Sequence, residues 1–277
     1  MNETSFVLND GRSMPRLGFG TWQMPDEVAP VCVQTALEAG YRLIDTARIY
    51  KNEVGVGQGL AAAGLPRESV FLTTKLWNHD QGFDFALAAC KASLKRLGQD
   101  CVDLYLIHWP MPKKNQYVES WKALIRLREE GRAKSIGVCN FQPEHLQRLI
   151  DETGVVPALN QIELHPSFQQ RDLRDFHRQH GIVIQSWSPL GQGAELSHPV
   201  VQKIAAKHGK SAAQTIIRWH LDSGLSVIPK SATPSRIREN FAVFDFQLDA
   251  EDMAAMAALD DPDGRIGWHP NSPDWGA

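Results

Sequence analysis

The sequence predicts an α/β fold, a (β/α)8 TIM barrel with a β-hairpin ahead of it and an irregular C-terminal tail. Three observations carry this expectation. Eight short β-rich runs, ending at Thr21, Asp45, Lys75, Ile107, Val138, Glu163, Trp187 and Ile228, alternate with segments of helical periodicity. That alternation builds a parallel sheet covered by helices. No Ser/Gly-rich linker, charge block or low-complexity tract divides the 277 residues, a length that a barrel spans as one domain. Residues 1–277 are therefore read as a single barrel domain. Finally, polar and aromatic residues gather just where the β-rich runs stop, and a parallel barrel carries all those points on one face.

The elements follow in order. Phe6-Val7-Leu8-Asn9-Asp10-Gly11 ends in an Asp-Gly turn signal and predicts the hairpin. Leu87, Cys90, Leu94 and Leu97 recur at near-helical spacing, as do Val118, Trp121, Leu124 and Ile125. The segment from Ser211 opens with a capping box to Gln214 and is expected to bury Ala213, Ile216, Ile217 and Leu221. Gly57-Gln58-Gly59-Leu60-Ala61-Ala62 matches the dinucleotide pattern G-x-G-x-x-A. That pattern grips a pyrophosphate only as the turn directly after a strand. Here it lies inside the helix opening near Asn52, so it reads as helix–barrel packing and a Rossmann domain is not expected. The tail after Asp261 is rich in Pro, Gly, Asp and Trp without periodicity. It is expected to pack irregularly, with Gly264 to Trp275, including Trp268 and His269, covering part of the functional face.

Composition narrows the class. With 43% apolar and 22% charged residues the chain can bury a core without disulfide or metal staples. A net charge of −3 argues against a general nucleic-acid or anionic-membrane binder. The start, Met-Asn-Glu-Thr-Ser, lacks an apolar secretion core, and no apolar run reaches the ~18 residues a membrane span needs. A cytoplasmic protein is expected. Cys32, Cys90, Cys101 and Cys139 show no metal or redox spacing, so reduced thiols, mostly packed as small apolar groups, are expected.

Trp22, Asp45 with Tyr50, Lys75 with Trp77, His108 with Trp109, Asn140, Gln161 with His165, Trp187 and Lys230 stand at the strand ends. Lys75 closes the run Val70-Phe71-Leu72-Thr73-Thr74 and needs a charge partner if it points inward, which Asp45 would supply. A phenol such as Tyr50 titrates near pH ~10. A neighbouring ammonium is expected to lower that value, with a carboxylate keeping the lysine charged. His108 would then orient a substrate carbonyl, and the hydride must come from a cofactor, because no side chain donates one. Two other chemistries compete for these residues. A metallohydrolase would recruit Asp45, His108, Glu163 and His165, although no His-x-His follows the first strand, and a Schiff-base aldolase would use Lys75 as nucleophile.

The flanks of these residues bring in a resemblance. Gly40-Tyr41-Arg42-Leu43-Ile44-Asp45-Thr46-Ala47, then Tyr50 and Asn52-Glu53-Val54-Gly55, resembles the signature of the aldo-keto reductases. Thr73-Thr74-Lys75-Leu76-Trp77, Leu106-Ile107-His108-Trp109-Pro110 and Ile228-Pro229-Lys230-Ser231 are similar to the family's other hallmarks. The likeness runs nearly end to end, and within the family it is greatest to bacterial 2,5-diketo-D-gluconate reductases. The resemblance implies an NADPH-dependent reductase of aldehydes, ketones, keto sugars and keto acids, with 2,5-diketo-D-gluconate and methylglyoxal as candidate substrates. It implies Tyr50 as general acid, tuned by Lys75 and Asp45, with His108 orienting the carbonyl. It also implies that Asn140 and Gln161 hold the nicotinamide carboxamide and that Trp187, in place of the commoner Tyr, stacks on the ring. Thr21, Trp22, Cys139 (where the family usually has Ser), Ser188, Leu190 and Gln192 are expected to complete the cofactor cleft. Glu239 and Asn240 would meet the adenine, and Trp22, Trp77 and Trp109 would wall the substrate. Arg48 and Lys51 flank Tyr50 where small residues are frequent. A non-enzymatic nicotinamide-binding protein is a third reading, against which the intact Asp/Tyr/Lys/His set speaks. The partners expected are a small carbonyl compound and NADPH/NADP+, with no nucleic acid and no membrane, and the chain is expected to act as a monomer.

Lys230-Ser231-Ala232-Thr233-Pro234-Ser235-Arg236 combines a strand end, hydroxyls, a helix start with Thr233 as cap, and two cations. A helix N-terminus beside Lys and Arg suits a dianionic phosphate. A solvated basic helix face accounts for Arg238 equally well. In the resembled family this loop grips the 2′-phosphate. Replacing Arg236 by His is expected to weaken NADPH binding far more than NADH binding. Equal losses in titrations with the two dinucleotides would count against the assignment.

Overall fold

The computed structural model describes residues 4–272. The hairpin is β1 (Ser5–Val7) against β2 (Ser13–Pro15), and Gly11, at φ +85°, turns the chain between them. Eight parallel strands follow: β3 (Phe19–Gly20), β4 (Leu43–Asp45), β5 (Phe71–Leu76), β6 (Val102–Ile107), β7 (Ala133–Cys139), β8 (Leu159–Glu163), β9 (Val183–Trp187) and β10 (Ser226–Val227). The helices are α1 (Ala29–Ala39), α2 (Glu53–Ala62), α3 (Phe83–Leu97), α4 (Tyr117–Glu129), α5 (Pro143–Thr153), α6 (Arg171–His180), α7 (Pro199–His208), α8 (Ala212–Asp222), α9 (Pro234–Phe241) and α10 (Ala250–Ala257). Each strand ends within one residue of its expected position. The sheet is a barrel: Gly18 N donates to Val227 O at 2.9 Å, Val227 N to Arg16 O at 2.9 Å, and Gly20 N to Pro229 O at 3.1 Å. The seam needs glycine, since a Cβ on Gly20 would lie 2.9 Å from Ile228 O and one on Gly18 would strike Leu43.

Side chains alternate across each strand, and this sorts the chain into layers. Ile44, Leu72, Tyr105, Ile107, Ile136 and Val138 face outward and share the main core with Val33, Ala36, Trp121, Leu124 and Leu146 of the helices. Leu43, Phe71, Leu104, Leu106 and Leu159 face inward and pack with Leu8 and Met14 of the hairpin, which therefore closes the N-terminal end of the barrel. Each fully buried Leu or Ile contributes about 1.5–3 kcal/mol relative to exposure.

Three local expectations are refined. The Ser211 capping box is present, but Ala213 is half-buried while Ile216, Ile217 and Leu221 are buried. The tail is irregular as far as residue 272, and Trp275 lies outside the described residues. Gly57 and Gly59 sit within α2, as expected, but pack on neighbouring helices rather than on the barrel. A Cβ on Gly59 would meet Val33 and Pro30 of α1, and one on Gly57 would lie 2.4 Å from Leu97 O at the end of α3. Gly57→Ala is therefore expected to lower stability by about 1–3 kcal/mol through overpacking, read by urea or thermal unfolding, with dinucleotide affinity unchanged. Lost affinity with stability intact would restore the fingerprint reading.

Candidate active site

The inward register of β4, β5, β8 and β9 puts Asp45, Lys75, Gln161 and Gln185 in one layer above the apolar floor. Lys75 is 0% exposed. Its Nζ donates to Asp45 Oδ1 at 2.5 Å and to Thr46 O at 2.9 Å, and stands 3.5 Å from Tyr50 Oη. Gln161 Nε2 donates to Asp45 Oδ2 at 2.8 Å and to Gln185 Oε1 at 2.7 Å, and Gln185 Nε2 to Ser226 Oγ at 3.0 Å. Five polar side chains thus cross the barrel as one hydrogen-bonded chain. The resemblance assigned Gln161 to a carboxamide; here both its N–H donors are given to Asp45 and Gln185. Gln185 and Ser226 were not foreseen, and their only signal was a polar residue at an inward position of an apolar strand.

A 3-10 turn, Arg48–Tyr50, carries the phenol. Asn52 fixes this turn to the neighbouring loop: it accepts from Thr46 Oγ1 at 2.7 Å and donates to Thr21 O at 2.8 Å and Met24 O at 3.0 Å. Thr21 itself donates through Oγ1 to Asp45 O at 3.0 Å. Arg48 turns away to Asp80 at 2.8 Å, and Lys51 is exposed at φ +58°.

Burial opposes the Lys75 charge, but Asp45 and Tyr50 outweigh it and hold the ammonium above its usual range. Burial also dominates at Tyr50, where with Asp45 and Cys139 it pushes the phenol up to about 12 against the pull of Lys75. Lys75 acts in the expected direction, lowering the value, but burial, which the sequence does not show, outweighs it at the phenol. The group is protonated at neutral pH and can give up a proton.

His108 follows β6, its ring edge-on to Tyr50 at 5.8 Å and to Trp77 at 5.2 Å between centroids. Burial, helped by Lys75, drives the imidazole well below its usual range, so the ring is neutral. Its buried Nδ1 has no hydrogen-bond partner among the described residues.

Trp77 and Trp109 pack with Met111, and Ile49 and Trp187 lean against them. Trp22 is 41% exposed and outside this cluster. Met111 and Ile49, single apolar residues in loops, carried no sequence signal. Asn140, at φ +62°, donates through Nδ2 to His108 O at 3.0 Å and accepts the Trp187 indole N–H on Oδ1 at 2.8 Å. Asn160 clamps the next residue, donating to Phe141 O at 2.9 Å. Cys139 is buried, and burial pushes its thiol up. Beyond Trp187, Ser188 (φ +47°) is half-buried, Leu190 packs into the helix layer and Gln192 is exposed.

In the loop after β10, the strand next to β9, Lys230 Nζ donates to Gln23 O at 3.4 Å and Thr233 N to Ser231 Oγ at 3.1 Å. Thr233 occupies the cap position of α9, but its side chain makes no cap hydrogen bond, another correction. Arg236 and Glu239 are exposed, whereas Asn240 is buried. Glu163 and His165 pair with each other rather than with Asp45 or His108. Among the described residues no group of three His, Cys, Asp or Glu side chains is arranged to hold a metal ion.

Removing one partner of a buried ion pair leaves the other charge uncompensated and costs about 3–5 kcal/mol. Lys75→Met is expected to destabilise by that amount in urea unfolding. Lys75→Met with Asp45→Asn is expected to recover much of the loss; no recovery would mean that the pair is not the unit of stability.

Comparisons with known proteins identify the family. Residues 16–261 match the family model described as "Aldo/keto reductase family". A protein named "Aldo-keto reductase" from Mycobacterium sp. (strain KMS) is 56% identical over 266 residues, 96% of each chain. "Methylglyoxal reductase DkgA" from Escherichia coli (strain K12) is 55% identical over 261 residues, 94% of each chain. Among solved structures, a mutant of Gox0644 in complex with NADPH is 52% identical, with a TM-score of 0.95 over 99% of this chain and 100% of that one. The chain belongs to the aldo/keto reductase family.

Proposed function

We propose that this aldo/keto reductase reduces the carbonyl group of small aldehydes, ketones, keto sugars and keto acids to the alcohol, with NADPH as reductant and Tyr50 as general acid. The observation that carries the reading is the Tyr50 hydroxyl 3.5 Å from Lys75 Nζ, beside a neutral His108 with an unpartnered buried nitrogen. NADPH, when bound, supplies the hydride. Asn140, Trp187 and the loop Ser188, Leu190 and Gln192 would hold its nicotinamide half. Lys230, Ser231, Thr233 and Arg236 would take the phosphate, with Glu239 and Asn240 toward the adenine. Thr21, Trp22, Asp45, Cys139 and Gln161 would complete the cleft between.

The protein's own groups handle the oxygen. A carbonyl set between Tyr50 and His108 receives two hydrogen bonds, which polarise it and steady the charge that develops on oxygen. Tyr50 then gives its proton to that oxygen, and the ammonium beside it stabilises the phenolate left behind. Asp45 keeps Lys75 charged and aimed throughout. Trp77, Trp109, Met111 and Ile49 form an apolar wall that fixes shape loosely, which suits several carbonyl compounds rather than one. The resemblance to relatives named methylglyoxal reductase supports that aldehyde as a candidate, with 2,5-diketo-D-gluconate beside it. A Schiff-base role for Lys75 is disfavoured, because the amine is locked as an ammonium against Asp45. One barrel supplies every group in a single domain, so a monomer suffices.

The test follows NADPH absorbance with methylglyoxal, keto sugars and aromatic aldehydes, for the wild type and Tyr50→Phe. Loss of a general acid is expected to slow the chemical step by about 10²–10⁴-fold and leave NADPH affinity unchanged. Wild-type turnover in Tyr50→Phe, with hydride transfer rate-limiting, would assign the proton to another group.

A further inference from the structure

Beside the reacting groups, three buried ionisable side chains form a cluster that the proposed chemistry does not use. His165 sits between two carboxylates, its Nε2 3.1 Å from Glu163 Oε1 and its Nδ1 3.0 Å from Glu195 Oε1. All three are buried, at 1%, 1% and 5% exposure for His165, Glu163 and Glu195. Ionised carboxylates only accept, so a carboxylate at each ring nitrogen favours the imidazolium, which donates from both; the Ser167 hydroxyl also lies 3.3 Å from Nδ1. Burial opposes that charge, but the two carboxylates outweigh it and hold the imidazole above its usual range.

Each carboxylate also grips a separate part of the chain. Glu163, at the end of β8, accepts the backbone N–H groups of Ile266 at 2.6 Å and Gly267 at 2.9 Å. Glu195, in the loop after β9, accepts the Ser167 backbone N–H at 3.2 Å and the Ser167 hydroxyl. The cluster therefore joins four segments: the end of β8, the turn at residues 165–168, the loop after β9, and the C-terminal tail. Two of these bear on Trp187. A Cβ on Gly267 would lie 2.5 Å from Trp187 Cη2 and 2.7 Å from Glu163 Oε2, so the tail lies directly on the indole. Ser188, Leu190 and Gln192 span the chain between Trp187 and Glu195.

We propose that His165 is a positioning residue that, through Glu163 and Glu195, fastens the C-terminal tail to the loop after β9 and so holds Trp187 as one wall of the nicotinamide site. This rests on the reading of Trp187 as that wall. The fastening is strongest where the imidazole is charged and is lost as pH rises through its folded-state titration. Other charged or titratable groups facing the cluster are Arg265 of the tail, which acts with Glu163, and His220 of α8, which acts with His165, Glu195 and Arg174. Burial keeps His220 neutral, at about 3, so it does not titrate over the same range.

The experiment combines amide hydrogen exchange with steady-state kinetics on His165→Gln. Losing hydrogen bonds between charged groups is expected to speed exchange at Ile266 and Gly267 about tenfold or more. The KM for NADPH is expected to rise several-fold while kcat at saturating NADPH stays near wild type, a split that a general loss of folding would not give. Glu195→Gln, which keeps the shape of the side chain, carries the test if His165→Gln does not fold. It should speed exchange at residues 191–197 and move the alkaline rise in KM for NADPH to lower pH. Unchanged exchange at Ile266 and Gly267 in His165→Gln, or faster exchange with an unaltered KM, overturns the proposal. Trp187→Ala separates the two readings: an unchanged KM for NADPH there would remove Trp187 as the wall, while the exchange data still judge the fastening.

Discussion

The ion pair between Asp45 and Lys75 is the constraint on which the rest of this barrel depends. Both groups lie in the interior, at 1% and 0% exposure. A lone charge there is far costlier than a satisfied pair, so neither residue is tolerable without the other. Their meeting requires β4 and β5 in the observed register, with Asp45 opposite Thr73, and both strands turned so that alternate residues face inward. A slip of one residue would send Lys75 into the helix layer and bring Thr74 inside, breaking the hydrogen bond from Thr74 to Glu53 as well.

From that pair the polar interior grows outward. The second oxygen of Asp45 draws in Gln161, then Gln185 and Ser226, so strands from opposite sides of the barrel share one network. The same lysine reaches Tyr50, which gives an otherwise ordinary half-buried phenol a cationic neighbour. That contact does not make the phenol acidic; burial sees to the reverse. What it offers is stabilisation of the phenolate at the moment the proton leaves, an effect specific to the transition state.

The loops above this layer hold unusual backbone. Gln23, Lys51, Met111, Asn140, Gln170, Ser188 and Gln192 all have positive φ without being glycine, and each lies in a loop after one of the parallel strands. Such conformations cost on the order of 1–3 kcal/mol each and persist only where the surroundings fix them. Here side chains from neighbouring elements do so, with Asn160 holding the turn beside Asn140 and Asn52 tying the loops around Tyr50 together. Their concentration at one end of the barrel follows the division between a rigid strand scaffold and the functional loops it carries.

The sequence by itself determined the order of elements, the strand ends, the hairpin and the four side chains Asp45, Tyr50, Lys75 and His108, because periodicity and the residue closing each apolar run are local properties. Motifs around those positions made the family legible as well. Tertiary structure decided the rest. Gly57 and Gly59 packed on helices rather than on the barrel, Thr233 did not cap its helix, and Gln161 turned to Asp45 and Gln185. Met111 and Ile49 joined the aromatic wall, Arg48 turned away to Asp80, and burial overrode the ammonium at Tyr50. Each of these depends on distances between segments remote in sequence and on how much water the folded chain excludes. Neither quantity is carried by residue spacing, so no reading of the chain alone reaches them.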